Sequence, residues 1–173
     1  MNTSLARIVF PAAVVLVLDQ VSKLLLVRSI PLYGSVSVIE GVFNLVHTRN
    51  RGVAFGFLNS AEPGLAQVFL IAITLAAMAL LISWFFRIKD REPRLIFPLA
   101  LVLGGAAGNL VDRIRQGEII DFLDFHYGAY HWPAFNLADS AISVGTFLLA
   151  VFILLQRPSS SQRNPLSPKM HRK

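Results

Sequence analysis

The stretch Gly104–Ser140 reads GGAAGNLVDRIRQGEIIDFLDFHYGAYHWPAFNLADS, and apolar segments long enough to span a bilayer lie on both sides of it. It sets carboxylates where a membrane chain tolerates them least. An ionisable group at or near hydrocarbon costs at least ~2.5 kcal/mol at a helix centre, so its default reading is functional. Asp121 and Asp139 each stand at the mouth of an apolar segment, and a loop between them allows the two to fold face to face. Two such acids suggest acid/base chemistry at a membrane surface.

Outward from this stretch, the composition points the same way. Of 173 residues, 54% are hydrophobic and 15% charged, with a mean hydropathy of +0.59; ordinary soluble domains carry about 25% charged residues. The length suits one integral membrane domain, residues 1–156, followed by a tail at 157–173. The absence of cysteine excludes disulfides, thiolate metal sites, a cysteine nucleophile and a lipid-modified cysteine on this chain. A net charge of +6 raises the question of nucleic acid, but the basic residues sit at the ends of apolar segments. That placement reads as membrane orientation, with no nucleic-acid partner.

Four spans are expected, at about Ile8–Val27, Leu65–Phe86, Leu95–Val111 and Leu137–Gln156, against the ~20 apolar residues that a crossing needs and the ~17 that suffice. The third is short, with room for its helix to run on through Asp112. The first carries Asp19 and Lys23 and no A-x-A-like site follows it, so it reads as a retained helix rather than a cleaved leader. Ten Lys and Arg residues flank the spans on one side (Arg7, the 87–94 connection and the tail), against Arg28, Arg49, Arg51, Arg113 and Arg115 on the other. Positive-inside logic then puts both termini in the cytoplasm and segments 28–64 and 113–136 outside. The tail, basic and rich in Ser and Pro, reads as disordered. Within 28–64, Ser35–Ile39 and Val53–Phe57 have strand character, with a turn at Asn50-Arg51-Gly52. The fold class expected is thus all-α, four transmembrane helices, with a small sheet lying against the membrane surface.

Each polar residue has a structural reading beside the functional one. Asp139, in Asn136-Leu-Ala-Asp-Ser140, suits a first-turn acid complementing the helix dipole, worth ~0.3–1 kcal/mol. Asp121 and Asp124 share an apolar run, Glu118–Phe125, and spacing alone does not choose between them. A close pair of carboxylates shares one proton, so that one member takes a proton from water while the other polarises a substrate carbonyl. This chemistry needs no metal and no cofactor. Asp19 and Lys23, four apart on one helix face, read first as a structural pair. Gly104 and Gly108 form a G-x-x-x-G that lets a helix approach closely, and Asp112 continues that face by one turn. Asp112-Arg113 reads as a brace. Asn50, Asn109 and Asn136 suit either donation to a peptide or to the carboxylates, or helix-to-helix bonding. His47, His126 and His131 lack metal-ligand spacing, and His126, His131 and Trp132 read as interface residues.

The ordered set Leu18-Asp19-Gln20 with Lys23, Asn50–Phe55, Gly104–Arg113, Ile120-Asp121-Phe122 and Pro133–Ser140 resembles lipoprotein signal peptidase, the type II signal peptidase of bacteria, over roughly residues 5–156. Each motif is weak alone, but the ordered series across four spans is specific. The resemblance implies an aspartic endopeptidase of the bacterial inner membrane that removes the signal peptide from prolipoproteins already carrying diacylglycerol. It implies a catalytic pair at Asp121 and Asp139, which decides between Asp121 and Asp124. Site-supporting or substrate-binding roles are implied for Asp19, Lys23, Asn50, Gly52, Gly108, Asn109, Asp112, Arg113 and Asn136. It further implies four helices with a small extracytoplasmic sheet called a cradle, with membrane lipid and lipid-modified precursor as partners of a monomer. The chain departs from the family pattern at Arg51, where Thr is common, and at Val53, where Ala is frequent.

Two rival classes remain. One is a Ser–Lys hydrolase using Ser140 or Ser22 with Lys23, although adjacent Ser22 and Lys23 point apart on a helix. The other is a small proton- or ion-coupled carrier, against which the outer placement of Asp121 and Asp139 counts.

Overall fold

The computed structural model describes residues 3–52 and 63–155. Within them, α1 (Thr3–Ser29), α2 (Pro63–Ile88), α3 (Ile96–Gln116) and α4 (Leu137–Leu154) fall on the four expected spans. All four are long and apolar enough to cross a membrane. A single 3-10 turn, Pro93–Leu95, leads into α3, which does run on past Asp112. It stops where Gly117 takes a left-handed φ of 76° and its N–H returns to the Arg113 carbonyl, a conformation that glycine adopts without steric penalty.

The helix α3 is the spine, packed against α1 on one side and α4 on another, with α2 along a third. Small residues set these approaches. A side chain at Gly104 would meet the Ala12 carbonyl of α1 at 2.6 Å, and one at Gly145 of α4 would meet the Pro98 carbonyl at 2.7 Å. The G-x-x-x-G face therefore does what its spacing predicts. Ile8, Phe85, Ile96, Leu99, Ala100 and Leu103 fill the space between α1, α2 and α3. Around this core, Phe10, Leu18, Leu25, Phe69, Leu80 and Phe147 all point outward and exposed. So large an apolar perimeter is stable in hydrocarbon and not in water.

A four-stranded antiparallel sheet completes the fold: β1 (Ser35–Ile39), β2 (Phe43–Asn50), β3 (Ile119–Tyr127) and β4 (Tyr130–His131), adjacent in that order. The expected strand at 35–39 is present, and its partner is residues 43–50, joined through a tight turn with Gly41 at φ 76°. The strand expected at 53–57 and the tail at 157–173 lie outside the described residues. The expected turn holds at Gly52, with φ 78° and its N–H donating to Asn50 Oδ1 at 2.8 Å. The run around Asp121 and Asp124, expected only to lie at the interface, is the strand β3. Four helices with a small antiparallel sheet describe the fold better than an all-α label.

Two contacts lock the sheet to the helices. Leu26 and Ile30 at the end of α1 pack against Ile120 and Phe122 of β3. The segment before α4 is stitched to the other edge, with Leu123 bridged to Phe135 by backbone bonds of 2.8 and 3.1 Å. Phe135 also stacks on Phe125, which stacks on Phe43. These contacts bring β3 and the start of α4 side by side.

Gly104→Val should push α1 from α3, costing about 1–3 kcal/mol by overpacking. It should appear as a lowered melting temperature in detergent. Gly64→Ala, where an added Cβ meets nothing within 4 Å, should leave that temperature unchanged.

Candidate active site

The site grows from a buried ion cluster. Asp19 and Lys23 stand four residues apart on α1, are 0% and 2% exposed, and pair at 2.8 Å. The same ammonium reaches Asp112 Oδ2 of α3 at 2.7 Å and Asn109 Oδ1 at 3.3 Å. Its three donors are thereby all used. Asp19 spends its other oxygen on the Ala138 N–H of α4 at 3.0 Å, and Asp112 Oδ2 accepts from the Ile120 N–H of β3 at 3.4 Å. The cluster therefore joins α1, α3, α4 and β3, as the structural reading of Asp19, Lys23 and Asp112 expected. Gly108 is part of it, because a side chain there would strike the Asp19 carboxylate.

From the cluster, two amides lead to two further carboxylates. Asn109 Nδ2 donates to Asp139 Oδ1 at 2.7 Å. Asn136 Nδ2 donates to Asn109 Oδ1 at 3.2 Å and to Asp121 Oδ1 at 2.7 Å. Asn50 Nδ2, from β2, donates to Asp121 Oδ2 at 3.0 Å. Asp121 of β3 and Asp139 of α4 are thus held on one short network. Asn136 also caps α4: its side chain accepts from the Asp139 N–H at 2.9 Å while Asp139 Oδ2 accepts from the Asn136 N–H at 3.3 Å. The helix-start reading of Asp139 is correct and incomplete, since one oxygen serves the cap and the other faces Asn109.

Asp121 is 3% exposed. Burial pushes its carboxyl up to about 6, opposed by the Asn50 hydrogen bond and reinforced by the nearby Asp139 charge. Asp124 behaves otherwise. Burial raises it, but hydrogen bonds from His131 and Asn44 outweigh that and hold it below its usual value. Its bonds run to His131 Nδ1 at 2.9 Å and Asn44 Nδ2 at 3.0 Å, away from Asp139. The structure thus separates two acids that spacing could not. His126 stacks on His131 at 4.7 Å, and the adjacent Trp132 is exposed.

The remaining expected residues are close by. Arg113 lies in the field of Asp139, Asp112 and Asp121. Its backbone carbonyl accepts from Gln67 Nε2 of α2 at 2.8 Å. Gln20 had no role in the sequence reading. It donates to Asp19, Asp112 and the Gly108 carbonyl at 2.9–3.2 Å, and its signal was an amide placed inside an apolar span. The serines do not meet Lys23: Ser22 Oγ donates to the Asp19 carbonyl and Ser140 Oγ to that of Asn136.

Two openings flank the network. One, about 310 Å³, is an apolar groove among α2, α3 and α4 that ends at Asn109 and Arg113. The other, about 610 Å³, lies on the sheet side and has Asp121, Arg49, Arg51 and Glu118 in its wall.

Residues 11–155 match the family model described as signal peptidase (SPase) II. The lipoprotein signal peptidase of Nitratidesulfovibrio vulgaris (strain DP4) is 49% identical over 88% of this chain and 90% of its own. That of Syntrophus aciditrophicus (strain SB) is 44% identical over 93% of this chain and 100% of its own. Among solved structures, a bacterial membrane enzyme superposes with a TM-score of 0.75 at 28% identity, covering 91% of this chain and 96% of that one.

The raised Asp121 carboxyl has a measurable consequence. The unfolded side chain releases its proton near 3.8 and the folded one near about 6. Between these values the folded state holds more protons, so this contribution to stability falls as pH rises and is flat above about 6. Asp121→Asn lacks it. The melting temperature of the variant minus that of wild type should therefore climb through this window and then level; a constant difference would contradict the assignment.

Proposed function

The chain belongs to the lipoprotein signal peptidase (signal peptidase II) family of membrane peptidases, and we propose that Asp121 and Asp139 are its catalytic pair. The observation that carries this reading is the shared network: each carboxylate receives a side-chain amide donor, and both donors trace to Asn109 and Asn136. We assign the proton that the pair shares to Asp121, the buried member whose carboxyl is pushed up to about 6. Asp121 polarises the scissile carbonyl, while ionised Asp139 takes a proton from the attacking water. The amide donors stabilise the ionised partner and fix its orientation, so little rearrangement accompanies the reaction.

The substrate on this reading is a diacylglyceryl-modified prolipoprotein, cut at the outer face of the bacterial inner membrane. The apolar groove among α2, α3 and α4 suits a signal helix entering sideways from the bilayer, and lipid anchoring holds the scissile bond at a set depth. The ten-to-five bias of basic residues supports cytoplasmic termini and a sheet on the outer side. Asp19, Lys23 and Asp112 position the amides, and Gly108 leaves room for them. Asn50 and Asn136 hold Asp121; Gly52 orients Asn50 through its N–H, and Arg113 supplies positive charge beside the pair. The protein acts as a monomer in membrane lipid. No step requires a metal or a cofactor.

Asp121→Asn and Asp139→Asn should each retain a folded, membrane-inserted protein and lower turnover by about 10²- to 10⁴-fold. Purified variants incubated with lipidated precursor in detergent should accumulate uncut substrate, while Ser140→Ala cuts normally. Near-normal cutting by either aspartate variant would sink the proposal. Ion flux in proteoliposomes without peptide cleavage would favour a carrier.

A further inference from the structure

The two openings beside the carboxylate pair differ in polarity, and that difference gives a bound chain a direction. A substrate with an apolar membrane segment followed by polar residues has one favourable way to lie across the pair. Its apolar part belongs in the groove among the helices, and its polar part in the sheet-side cavity, because unpaired polar groups are costly among lipid-facing helices.

In the wall of the sheet-side cavity two guanidiniums converge on one carboxylate. Arg51 Nε donates to Glu118, and Arg49 Nη1 lies 3.8 Å from the same carboxylate. Glu118 is only 14% exposed, while Arg51 is 69% exposed. One carboxylate thus meets both guanidiniums, while Asp121 is held by the Asn50 and Asn136 amides instead. Arg51 meets Glu118 through Nε, and its two Nη groups make no hydrogen bond among the described residues; a guanidinium fork suits a carboxylate. Tyr33 stands at the mouth of the cavity, 79% exposed and at φ 64°, held there by its N–H on the His47 carbonyl at 2.8 Å. A bulky residue in that backbone region is strained, and such strain gathers at ligand clamps.

We infer that the sheet-side cavity is a subsite for the residues just downstream of the cut, and that Arg51 with Arg49, braced by Glu118, favours an acidic side chain there. The inference rests on Asp121 and Asp139 being the cutting pair. It concerns only which precursors are preferred.

The test uses three synthetic precursor peptides, each with a diacylglyceryl cysteine. They differ only in the second residue after that cysteine: Asp, Asn or Lys. The purified protein in neutral detergent at low salt should give kcat/KM in the order Asp, Asn, Lys, with about fivefold between the ends, as expected for exposed charge contacts. Raising the salt should shrink the spread. Arg51→Ala should bring the Asp-to-Lys ratio near one, and Arg51→Glu should reverse it; because each ratio is taken within one preparation, loss of folded protein does not affect it. Equal rates for all three peptides in wild type, or an unchanged ratio in Arg51→Glu, would overturn the inference alone. A wild-type protein that cut none of them would remove the peptidase reading as well.

Discussion

One buried ammonium organises this molecule. Lys23 sits 2% exposed in a membrane-spanning helix, where a lone charge is untenable, and it is tolerated because three acceptors surround it. Its partners come from two helices; the other oxygen of Asp19 holds a third helix through the Ala138 amide, and the Asp112 oxygen that meets Lys23 also reaches the sheet through the Ile120 amide. Removing the ammonium would leave Asp19 and Asp112 close together in a low dielectric without compensation. Such one-sided losses typically cost ~3–5 kcal/mol. The packing of α1, α3, α4 and β3 around one point is therefore an electrostatic requirement as much as an apolar one.

The same ammonium sets the polarity of the amides beyond it. Lys23 can only donate, so the group of Asn109 that faces it must be the oxygen. Asn109 then turns its NH₂ toward Asp139. Asn136 is constrained from the other end, because the Asp139 backbone N–H occupies its oxygen and leaves its NH₂ for Asn109 and Asp121. Both carboxylates thereby receive donors whose direction no rotamer choice can reverse. Two electrically neutral side chains carry the organising influence of a buried charge out to Asp121 and Asp139.

This chain of causes was partly legible in the sequence. Hydropathy located all four spans, and the spacing of Gly104, Gly108 and Asp112 identified the face of α3 that meets α1, because helical periodicity is a local property. The choice of Asp121 over Asp124 was not local. It depends on which side chains the fold brings across from β2, β4 and the cap of α4: Asn50 and Asn136 to one acid, Asn44 and His131 to the other. Strand β3 was also hidden, since a run buried on both faces lacks the alternation that marks a half-exposed strand. The β1 partner was missed for a related reason. Phe43–Asn50 mixes polar and apolar residues without a clean period, and its register shifts between Leu45 and Thr48.

What remains is why so short a protein can arrange eight or more polar groups with such economy, and the answer is the helical repeat of α3. Gly104, Gly108 and Asp112, four residues apart, face α1. Gly105 and Asn109, one step round, face α4 at Ala138 and Asp139. Ala106 and Arg113 turn toward the groove that α2 closes. The first two faces begin with glycines that bring the neighbour near and end, one turn closer to the sheet, with a polar group that bonds to it. Close approach and polar chemistry are thus read from the same helix at successive rotations of about 100°. A substitution at any of these glycines would act on the carboxylate pair through the distance between helices, without touching it.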